Sequence, residues 1–504
     1  MLKSKDVYRL DINSRWLGVN TELLMENAGK SVADVIFEKY PTAKKIVCIC
    51  SRTNNGGDGL VAARHLSARY DVIVIFIGDP ETIKTAETRK NWQRVYNLHT
   101  VKKVIIKYPE DLKILEDIIK DADIIIDAIF GVGVKGKPKG LEGETIAKIN
   151  ALKEKYGFKI ISVDVPSGFD TEEGKPSELM INADVITTFH AMKHGLEKLG
   201  REVIIKHIGI PKDSEIFVGP GDFIEFIRER DPWSHKGDFG RILVIGGSEH
   251  YTGAPALSAM AALRTGADLS IIYAPEAVVS TIRSFSPNII AESYPGKFFN
   301  DDSMKRALEL SEKASVVIVG PGLGSESETL KTTYKFITEL AGKKPLVVDA
   351  DALKSLARYG IPRSRDIIIT PHAGEFKLIF GEEPSKDLYM RGELVKKHAK
   401  ALDNVTILLK GHIDVISDGD RLLFNRTGNP GMTVGGTGDV LTGIIAAIRA
   451  QCPDSFKSAA MGAFLCGFAG DLAFEKYGYC LTATDVIEQI PVAIREIRRI
   501  IYQE

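Results

Sequence analysis

The five residues Gly435-Gly436-Thr437-Gly438-Asp439 combine three glycines with a carboxylate, and an apolar run follows them directly. Glycine permits tight turns that point successive backbone N–H groups into one concavity, and such a loop at the start of a helix binds phosphate. A carboxylate in the first helical turn can take the proton of a hydroxyl that attacks the phosphate. The pentapeptide therefore indicates phosphoryl transfer to an alcohol. The alternative is a glycine-rich helix N-terminus in which Asp439 only caps the helix.

A second glycine-rich segment, Asn54-Asn55-Gly56-Gly57-Asp58, lies near the start of the chain. It follows an apolar strand predicted over residues 46–50 and precedes a helix predicted over 60–68, with another strand at 72–77. This order predicts a parallel β-α-β unit. The backbone N–H groups of such a loop bind phosphate, while the asparagine carbonyl oxygens are suited to a hard monovalent cation.

Polar side chains follow two further predicted strands of the same half. Asp127 ends one apolar strand, and Asp164 and Ser167 follow the next. Because the carboxyl ends of parallel strands face the ligand crevice, we expect these three residues to converge with Asn54, Asn55 and Asp58. The alternative for each acid taken alone is a helix or turn cap.

The pattern of the whole chain predicts two α/β domains. Residues 8–40 have the spacing of one amphipathic helix, and the periodicity lapses between residues 211 and 240, where prolines and glycines accumulate. We therefore predict a Rossmann-like parallel-sheet domain over residues 1–215 and a second α/β domain over 225–504. Predicted strands of the second domain lie at residues 241–245, 269–273, 316–319, 346–348, 367–369 and 405–409.

Composition excludes several classes of function. The chain has 66 basic and 67 acidic residues and a net charge of -1, so no long-range field favours nucleic acid or an anionic membrane. The N-terminus lacks the apolar segment of a signal peptide, and no apolar run approaches the ~18 residues that span a bilayer. Five cysteines without metal-ligand spacing favour buried thiols over disulfides. We expect a cytoplasmic homo-oligomer without nucleic-acid or membrane partners.

Two single residues gain interest from their position after predicted strands of the second domain. His372 follows residues 367–369, and Lys410 follows 405–409. Alone, His372 is as readily a hydrogen-bonding histidine, and Lys410 a lysine whose stem covers the edge of the core. Their shared location at strand carboxyl ends, where the Gly435–Asp439 loop is also expected, favours a ligand site.

With these motifs assembled, the chain resembles the bifunctional NAD(P)H-hydrate repair enzymes, an NAD(P)HX epimerase fused to an NAD(P)HX dehydratase of the ribokinase-like superfamily, along nearly its whole length. The first-half motifs are residues 24–29, 54–59, 130–133 and 163–168. The second-half motifs are residues 234–237, 252–255, 320–324, 349–353, 370–372 and 435–439.

The resemblance implies the roles of residues in the first domain. Asp164 would be the proton-transfer group, and K⁺ would be bound by Asn55, Asp127 and Ser167. The residues that would hold the hydrated dinucleotide, NADHX or NADPHX, are Asn54, Asn55, Gly56, Gly57, Asp58, Gly131, Val132, Gly133, Val134, Lys135, Gly136, Lys137 and Asp164.

In the second domain the resemblance implies dehydration at the expense of ADP or ATP with Mg²⁺, with Asp439 as the catalytic base. Residues facing the hydrated nicotinamide would be Ala254, Gly322, His372 and Asp439. Those holding the nucleotide would be Lys410, Gly411, His412, Ile413, Asp414, Gly435, Gly436, Thr437 and Gly438. Two segments depart from the family pattern: His412-Ile413-Asp414, where small residues and threonines are expected, and Cys480, where glycine is common.

A different interpretation remains open on the residues alone. The second domain would then be an ordinary kinase for a vitamin precursor, fused to a Rossmann-like module that senses a ligand or serves as a scaffold. The combination of Asp127, Asp164 and Ser167 in the first half argues against a purely structural module. An ordinary kinase would leave a stable phosphorylated product, whereas a dehydratase releases free phosphate.

Overall fold

Each half of the chain forms its own parallel sheet in the computed structural model, which describes residues 1–503. The internal contacts divide the chain into two units, Met1–Lys212 and a second unit that begins at Asp213. Among residues 1–503, no helix is both long enough and apolar enough to cross a membrane.

The first unit has a seven-stranded sheet in the order β3-β2-β1-β4-β5-β8-β9, and all its pairings are parallel. The strands are β1 Lys45–Cys50, β2 Asp71–Ile77, β3 Val101–Ile106, β4 Ile124–Ala128, β5 Lys159–Val163, β8 Val185–Phe189 and β9 Glu202–Lys206, with a small hairpin of β6 Phe169–Asp170 and β7 Lys175–Pro176. The helices are α1 Ser4–Trp16, α2 Thr21–Lys39, α3 Asn54–Leu66, α4 Ala86–Tyr96, α5 Leu115–Ile119 and α6 Gly140–Tyr156, with 3₁₀ turns at Pro80–Thr82, Pro109–Ile114 and Leu196–Leu199.

The second unit has a nine-stranded sheet in the order β12-β11-β10-β13-β14-β15-β16-β17-β18, parallel up to β16 and antiparallel beyond it. The strands are β10 Arg241–Ile245, β11 Leu269–Pro275, β12 Ile290–Tyr294, β13 Val316–Val319, β14 Leu346–Val348, β15 Ile367–Ile369, β16 Thr406–Leu409, β17 Asp414–Ser417 and β18 Leu422–Asn425. The helices are α7 Asp213–Ile216, α8 Gly253–Arg264, α9 Glu276–Ser284, α10 Asp301–Lys313, α11 Ser327–Leu340, α12 Asp351–Tyr359, α13 Ala373–Phe380, α14 Leu388–Ala401, α15 Thr437–Gln451, α16 Ser455–Tyr477 and α17 Ala483–Tyr502, with 3₁₀ turns at Pro220–Phe223, Pro430–Thr433 and Gly478–Cys480.

Apolar residues cover both faces of each sheet. Along β1, Ile46 and Cys48 pack into one buried cluster and Val47 and Ile49 into the cluster on the other face. Strand β10 alternates in the same way between two clusters of its unit. Strands buried on both faces are typical of parallel sheets flanked by helices, so the predicted α/β class with a Rossmann-like first domain is confirmed.

The single helix predicted over residues 8–40 is wrong, because two helices share that stretch. Gly18 adopts a left-handed φ of 89°, which ends the first helix, and the Asn20 side chain then caps α2 by accepting a hydrogen bond from the Leu23 N–H at 3.0 Å. Residues with apolar spacing on both sides of the break conceal it, since each helix contributes its own buried face.

The prediction of a glycine loop before a helix at residue 60 is also wrong, because α3 begins at Asn54. The Thr53 hydroxyl caps the helix by accepting a hydrogen bond from the Gly56 N–H at 3.2 Å. The glycines permit close packing: a Cβ at Gly56 would lie 2.0 Å from the Ser51 carbonyl oxygen, and one at Gly57 would lie 2.6 Å from the Met25 sulfur. The segment therefore presents a helix N-terminus, another form of anion-binding site.

Candidate active sites

A cavity of about 510 Å³ lies in the first unit at the carboxyl ends of the central strands. Helices α1 and α2, the start of α3, and the segments that follow β4, β5 and β8 form its walls. Predicted site residues on this wall are Asn54, Asn55, Asp58, Gly131, Val132, Gly133, Val134 and Asp164.

The N-terminal residues hold α1 against this cavity. The Leu2 N–H donates to the Met192 carbonyl at 2.9 Å, and the His194 N–H donates to the Leu2 carbonyl at 2.8 Å. The Ser4 hydroxyl donates a buried hydrogen bond to the Val132 carbonyl at 2.7 Å. These contacts join α1 to both the segment after β8 and the glycine segment after β4.

Asp164 is held in a specific orientation at the end of β5. Its backbone has a left-handed φ of 64°, which is uncommon outside glycine, and its side chain is buried. One carboxylate oxygen, Oδ1, lies 2.7 Å from the Lys193 ammonium and accepts hydrogen bonds from the Thr188 hydroxyl at 3.1 Å and the Phe189 N–H at 3.2 Å. Backbone strain combined with a buried ion pair is typical of functional sites.

Two further acids line the same cavity as Asp164. Burial, and then the charge of Asp164, raises the pKa of Asp11 to about 7. Burial, and then Asp164 and Asp11, raises the pKa of Asp58 well above its ordinary value. Like charges close together disfavour further ionisation, so this group of acids retains protons at neutral pH. Both an ionised and a protonated carboxyl are therefore available to one bound ligand.

The residues predicted to bind K⁺ meet beneath this cavity. The Ser167 hydroxyl donates to Asp127 Oδ1 at 2.5 Å and accepts a hydrogen bond from the Phe130 N–H at 2.9 Å. The Asn55 side-chain amide donates to the Phe130 carbonyl at 2.9 Å. Asp127 is 1 % exposed, and its other oxygen accepts hydrogen bonds from the Ser162 hydroxyl and the Ser167 N–H. Carboxylate, hydroxyl, amide and backbone oxygens are thus concentrated in one place.

The cavity wall does not include the lysines of the predicted dinucleotide segment. It stops at Val134, and residues 135–137 are exposed beyond it. The Lys137 ammonium pairs with Glu178 at 3.1 Å on the surface. Lys135, Gly136 and Lys137 can contact only a part of a ligand that extends out of the cavity.

In the second unit, Lys410 and Asp349 form an ion pair at neighbouring strand ends. The Lys410 ammonium lies 2.9 Å from Asp349 Oδ1, and the Thr442 hydroxyl donates to Asp349 Oδ2 at 2.9 Å. A Cβ placed on Gly438 would be 3.6 Å from the Lys410 ammonium and 3.7 Å from Asp349 Oδ2. The fold thus brings the glycine loop and Lys410 together, as the strand-end positions predict.

The glycine loop has the geometry expected of an anion cradle. Helix α15 begins at Thr437, and Gly436 before it has a left-handed φ of 96°. The Thr437 hydroxyl donates to the Met432 carbonyl at 2.9 Å, which fixes the entry to the helix. No atom lies within 4 Å of a Cβ placed on Gly435, so the space over the loop is open. The N–H groups of the first turn face that space.

Asp439 lies in the first turn of α15 beside this ion pair. Burial, and then the charge of Asp349, raises the pKa of Asp439 to about 7, although Lys410 acts in the opposite direction. Burial lowers the pKa of Lys410, but Asp349 and Glu375 outweigh burial and the net shift is upward. Lys410 therefore stays charged, and Asp439 can exchange a proton near neutral pH.

The residues predicted to face the nicotinamide are divided between two places. A Cβ on Gly322, whose φ is 62°, would lie 2.7 Å from Tyr251 Cβ and 3.3 Å from Ala254 Cβ, so these three residues are neighbours. His372 lies at the start of α13, where its Nδ1 accepts hydrogen bonds from the Gly374 and Glu375 N–H groups. Its side chain is 60 % exposed, so it caps a helix and remains available to a ligand.

The predicted nucleotide segment after Lys410 is held by Asp414. Its carboxylate accepts hydrogen bonds from the Gly411 N–H at 2.9 Å and from the Asn425 amide at 3.0 Å. The Arg391 guanidinium donates to the Lys410 carbonyl at 2.9 Å. Gly411 and His412 are exposed, so the segment forms a turn whose outer side is free for a ligand.

Sequence reasoning missed three groups that the fold places at these sites. Asp11 follows two helical turns that contain no motif, and nothing in its local pattern distinguishes it from a surface acid. Lys193 was visible after a predicted strand but had no assigned partner. Asp349 was visible as a strand-end acid, a signal that could have paired it with Lys410.

The chain has relatives of known type along almost its whole length. The bifunctional NAD(P)H-hydrate repair enzyme Nnr of Pyrobaculum aerophilum is 43% identical over 502 residues, covering 98% of this chain and 98% of that protein. Nnr of Methanothermobacter thermautotrophicus is 40% identical over 511 residues, covering 97% of this chain and 95% of that protein. This chain belongs to the family of bifunctional NAD(P)H-hydrate repair enzymes.

Matches to each half agree with membership in this repair family. Residues 21–195 match the family described as YjeF-related protein N-terminus, and residues 242–492 match the one described as NAD(P)H-hydrate dehydratase. A crystal structure of a hypothetic protein from Streptococcus mutans is 27% identical, with a TM-score of 0.50, and covers 56% of this chain and 99% of that chain. Membership confirms the predicted isomerase and lyase joined in one enzyme, and it decides against the vitamin-kinase and scaffold interpretations.

Proposed function

We propose that residues 1–215 interconvert the two epimers of NADHX and NADPHX and that residues 225–504 dehydrate one of them at the expense of ADP or ATP. The observation that carries this proposal is that each unit has its own acid cluster at its strand ends. Asp164 lies in the first unit and Asp439 in the second. Two reactions on one substrate need two such sites.

The dehydration reaction follows from the chemistry of the hydrate. Its C6 hydroxyl is a poor leaving group at neutral pH, whereas phosphate leaves readily. Asp439 takes the hydroxyl proton as the oxygen attacks the terminal phosphoryl group, and the N–H groups of residues 435–438 stabilise the transferring charge. The ring nitrogen's electron pair then expels phosphate, and loss of the C5 proton restores the dihydronicotinamide.

The residues present fit a nucleotide polyphosphate. The open space over Gly435, the helix N-terminus and the charged Lys410 beside Gly438 together favour an anion of that kind. Mg²⁺ supplies positive charge to such a polyphosphate, largely through the substrate oxygens themselves. Lys410 and the turn over residues 411–414 would hold the rest of the nucleotide.

We expect one free phosphate and one AMP to form for each NADH recovered when the protein is given NADHX, ADP and Mg²⁺. The phosphorylated hydrate decomposes because the ring nitrogen expels phosphate. Phosphate and AMP are measured by coupled assay and chromatography. Accumulation of a stable phosphorylated hydrate without NADH would contradict dehydration, and the same run with ATP reports which nucleotide is preferred.

The first site fits a monovalent cation because its ligands are hard oxygens in a cage of limited size. Asn55, Asp127 and Ser167 meet around the Phe130 carbonyl. K⁺ there would supply positive charge next to the dinucleotide phosphates and fix the segment after β4. The substrate would lie above it with its hydroxyl towards Asp164.

We expect replacement of K⁺ by the much larger Cs⁺ to slow epimerisation, because the cage has a fixed size. Ser167→Ala should abolish this dependence. Ser162→Ala is the matched control, because it also removes one hydroxyl hydrogen bond to Asp127 but is not a proposed ligand. Epimer exchange is followed by chromatography on dialysed protein. Equal rates in K⁺ and Cs⁺ would remove the cation from the site.

We also propose that the enzyme works in the cytoplasm as a homo-oligomer on these small molecules. The free thiols of Cys48, Cys50 and Cys466, all buried, support a reducing compartment. The near-neutral charge of the chain supports small-molecule rather than nucleic-acid partners.

A further inference from the structure

The epimerase cavity holds three carboxyl groups, and only one has been given a catalytic role. Asp164 ends β5, Asp58 lies in α3, and Asp11 faces the same cavity from α1. Lys193 completes the charged groups around Asp164. A reaction that moves two protons at once requires a second proton-transfer group besides Asp164.

The hydrated ring is a hemiaminal, because C6 carries both the hydroxyl and the ring nitrogen N1. Opening it breaks the C6–N1 bond: the hydroxyl loses a proton as C6=O forms, and N1 takes the bonding pair and gains a proton. The product is an aldehyde with an N–H group. Rotation about the C5–C6 bond turns the other carbonyl face towards N1, and closure gives the opposite epimer. One group must accept a proton while another donates one.

Lys193 is not free to be the donor. Its ammonium contacts Asp164 Oδ1 at 2.7 Å, the Phe189 carbonyl at 2.6 Å and the Thr188 hydroxyl at 3.2 Å. These three partners use its three N–H bonds, and the side chain is 1 % exposed. Lys193 is therefore a positioning residue that keeps Asp164 charged and oriented.

Asp11 has the surroundings of a proton donor. Its helix is tied to the segments after β4 and β8, so the carboxyl is fixed against the cavity. Asp164 and Lys193 face it from the sheet, Asp58 faces it from α3, and Tyr8 and Arg15 lie on its own helix.

The titration of these groups distinguishes Asp11 from Asp58. Burial and then Asp164 bring the pKa of Asp11 to about 7, so it can give and regain a proton at neutral pH. The pKa of Asp58 is raised so far that its proton stays bound. His190 also lines the cavity and completes the titratable groups there.

We propose that Asp11 is the second proton-transfer group of the epimerase, donating to N1 while the Asp164 carboxylate takes the C6 hydroxyl proton. This rests on the proposed location of epimerisation in the first unit. After ring opening, Asp164 carries a proton and Asp11 is ionised. Closure returns the N1 proton to Asp11 and the Asp164 proton to the C6 oxygen, so no proton or electron is consumed and both carboxyls recover their starting states.

The test uses the full-length chain and one purified NADHX epimer without nucleotide, and chromatography follows the appearance of the other epimer. Asp11→Asn should slow epimerisation about 10²- to 10⁴-fold, the usual contribution of a general acid. Asp34→Asn, at an exposed acid paired with Lys30 on α2, is the matched control and should keep the parent rate. Melting curves and dehydration by the second unit verify folding.

The pH profile separates a catalytic from a structural role. In the parent, epimerisation should fall as pH rises through about 7, because only protonated Asp11 donates. Asp11→Glu should keep such a fall, and Asp11→Asn should lose it. An Asp11→Asn protein with more than about a tenth of the parent rate, or with the same fall, would overturn the inference.

Asp164→Asn tells this failure from a failure of the site itself. Loss of activity in Asp164→Asn together with normal activity in Asp11→Asn would overturn the role of Asp11 and leave the first site in place. Normal activity in both variants would overturn the role of Asp11 and the assigned site together. Transfer of the pH limb to Asp58→Asn would assign the donor to Asp58 instead.

Discussion

Asp439→Asn should lower NADH recovery from NADHX about 10²- to 10⁴-fold, which corresponds to roughly 3 to 5 kcal/mol of barrier, and leave epimerisation intact. The amide cannot take the hydroxyl proton, and the epimerase cavity lies in the other unit. Absorbance recovery measures dehydration, and chromatography measures epimer exchange. Asp403→Asn is the matched control: its exposed carboxylate pairs with Arg363, and asparagine suits its left-handed φ of 53°.

The same variant tests the pH dependence of the reaction. Asp439 must be ionised to act as a base, and its pKa is raised to about 7, so parent activity should rise as pH increases through that value. A raised carboxyl pKa also means that the folded state loses stability as the group ionises, at about 1.4 kcal/mol per pKa unit. Asp439→Asn should therefore melt no lower than the parent at pH 8. More than about a tenth of parent dehydration in the variant would contradict the assignment.

Asp164→Asn should consume about half of an equal mixture of epimers quickly and then slow to the rate of spontaneous epimerisation. A site that orients one hydroxyl towards both a base and a phosphoryl group accepts one hand, because the mirror configuration points the oxygen away. Asparagine is chosen over alanine because residue 164 has a left-handed φ of 64°. The time course is the absorbance recovery with ADP and Mg²⁺ in excess.

Complementation between two inactive variants gives the control. Full-length Asp439→Asn protein retains the epimerase, so adding it to Asp164→Asn protein should restore consumption of the missing half. An Asp164→Asn time course as complete as the parent's would show that this residue is not needed or that dehydration is not stereoselective. Failure of complementation would show that Asp439→Asn has lost epimerisation as well.

The strands were largely predictable from the sequence because parallel strands buried on both faces are continuous apolar runs. Residues 241–245, 316–319, 346–348 and 367–369 are strands with the predicted bounds. The edge strands β3, β9 and β12 were missed, since charged side chains interrupt their apolar pattern: Lys102 and Lys103 lie in β3, and Glu292 lies in β12.

The sites were predictable where the chemistry follows a strand directly, and less so elsewhere. Asp127, Asp164 and Lys410 could be placed because strand ends of a parallel sheet share one edge. Asp11 could not, because its approach to the cavity depends on the pairing of Leu2 with the segment near Lys193, a contact far apart in sequence. The glycines of residues 56–57 were assigned to a loop because sequence does not separate backbone freedom from close packing.

The most direct measurement of the central claim is the time course of the unaltered full-length protein with an equal mixture of NADHX epimers, ADP and Mg²⁺. If one chain both interconverts the epimers and dehydrates one of them, near-ultraviolet absorbance should recover almost completely in a single phase. A recovery that stops near half, or none at all, would contradict the account.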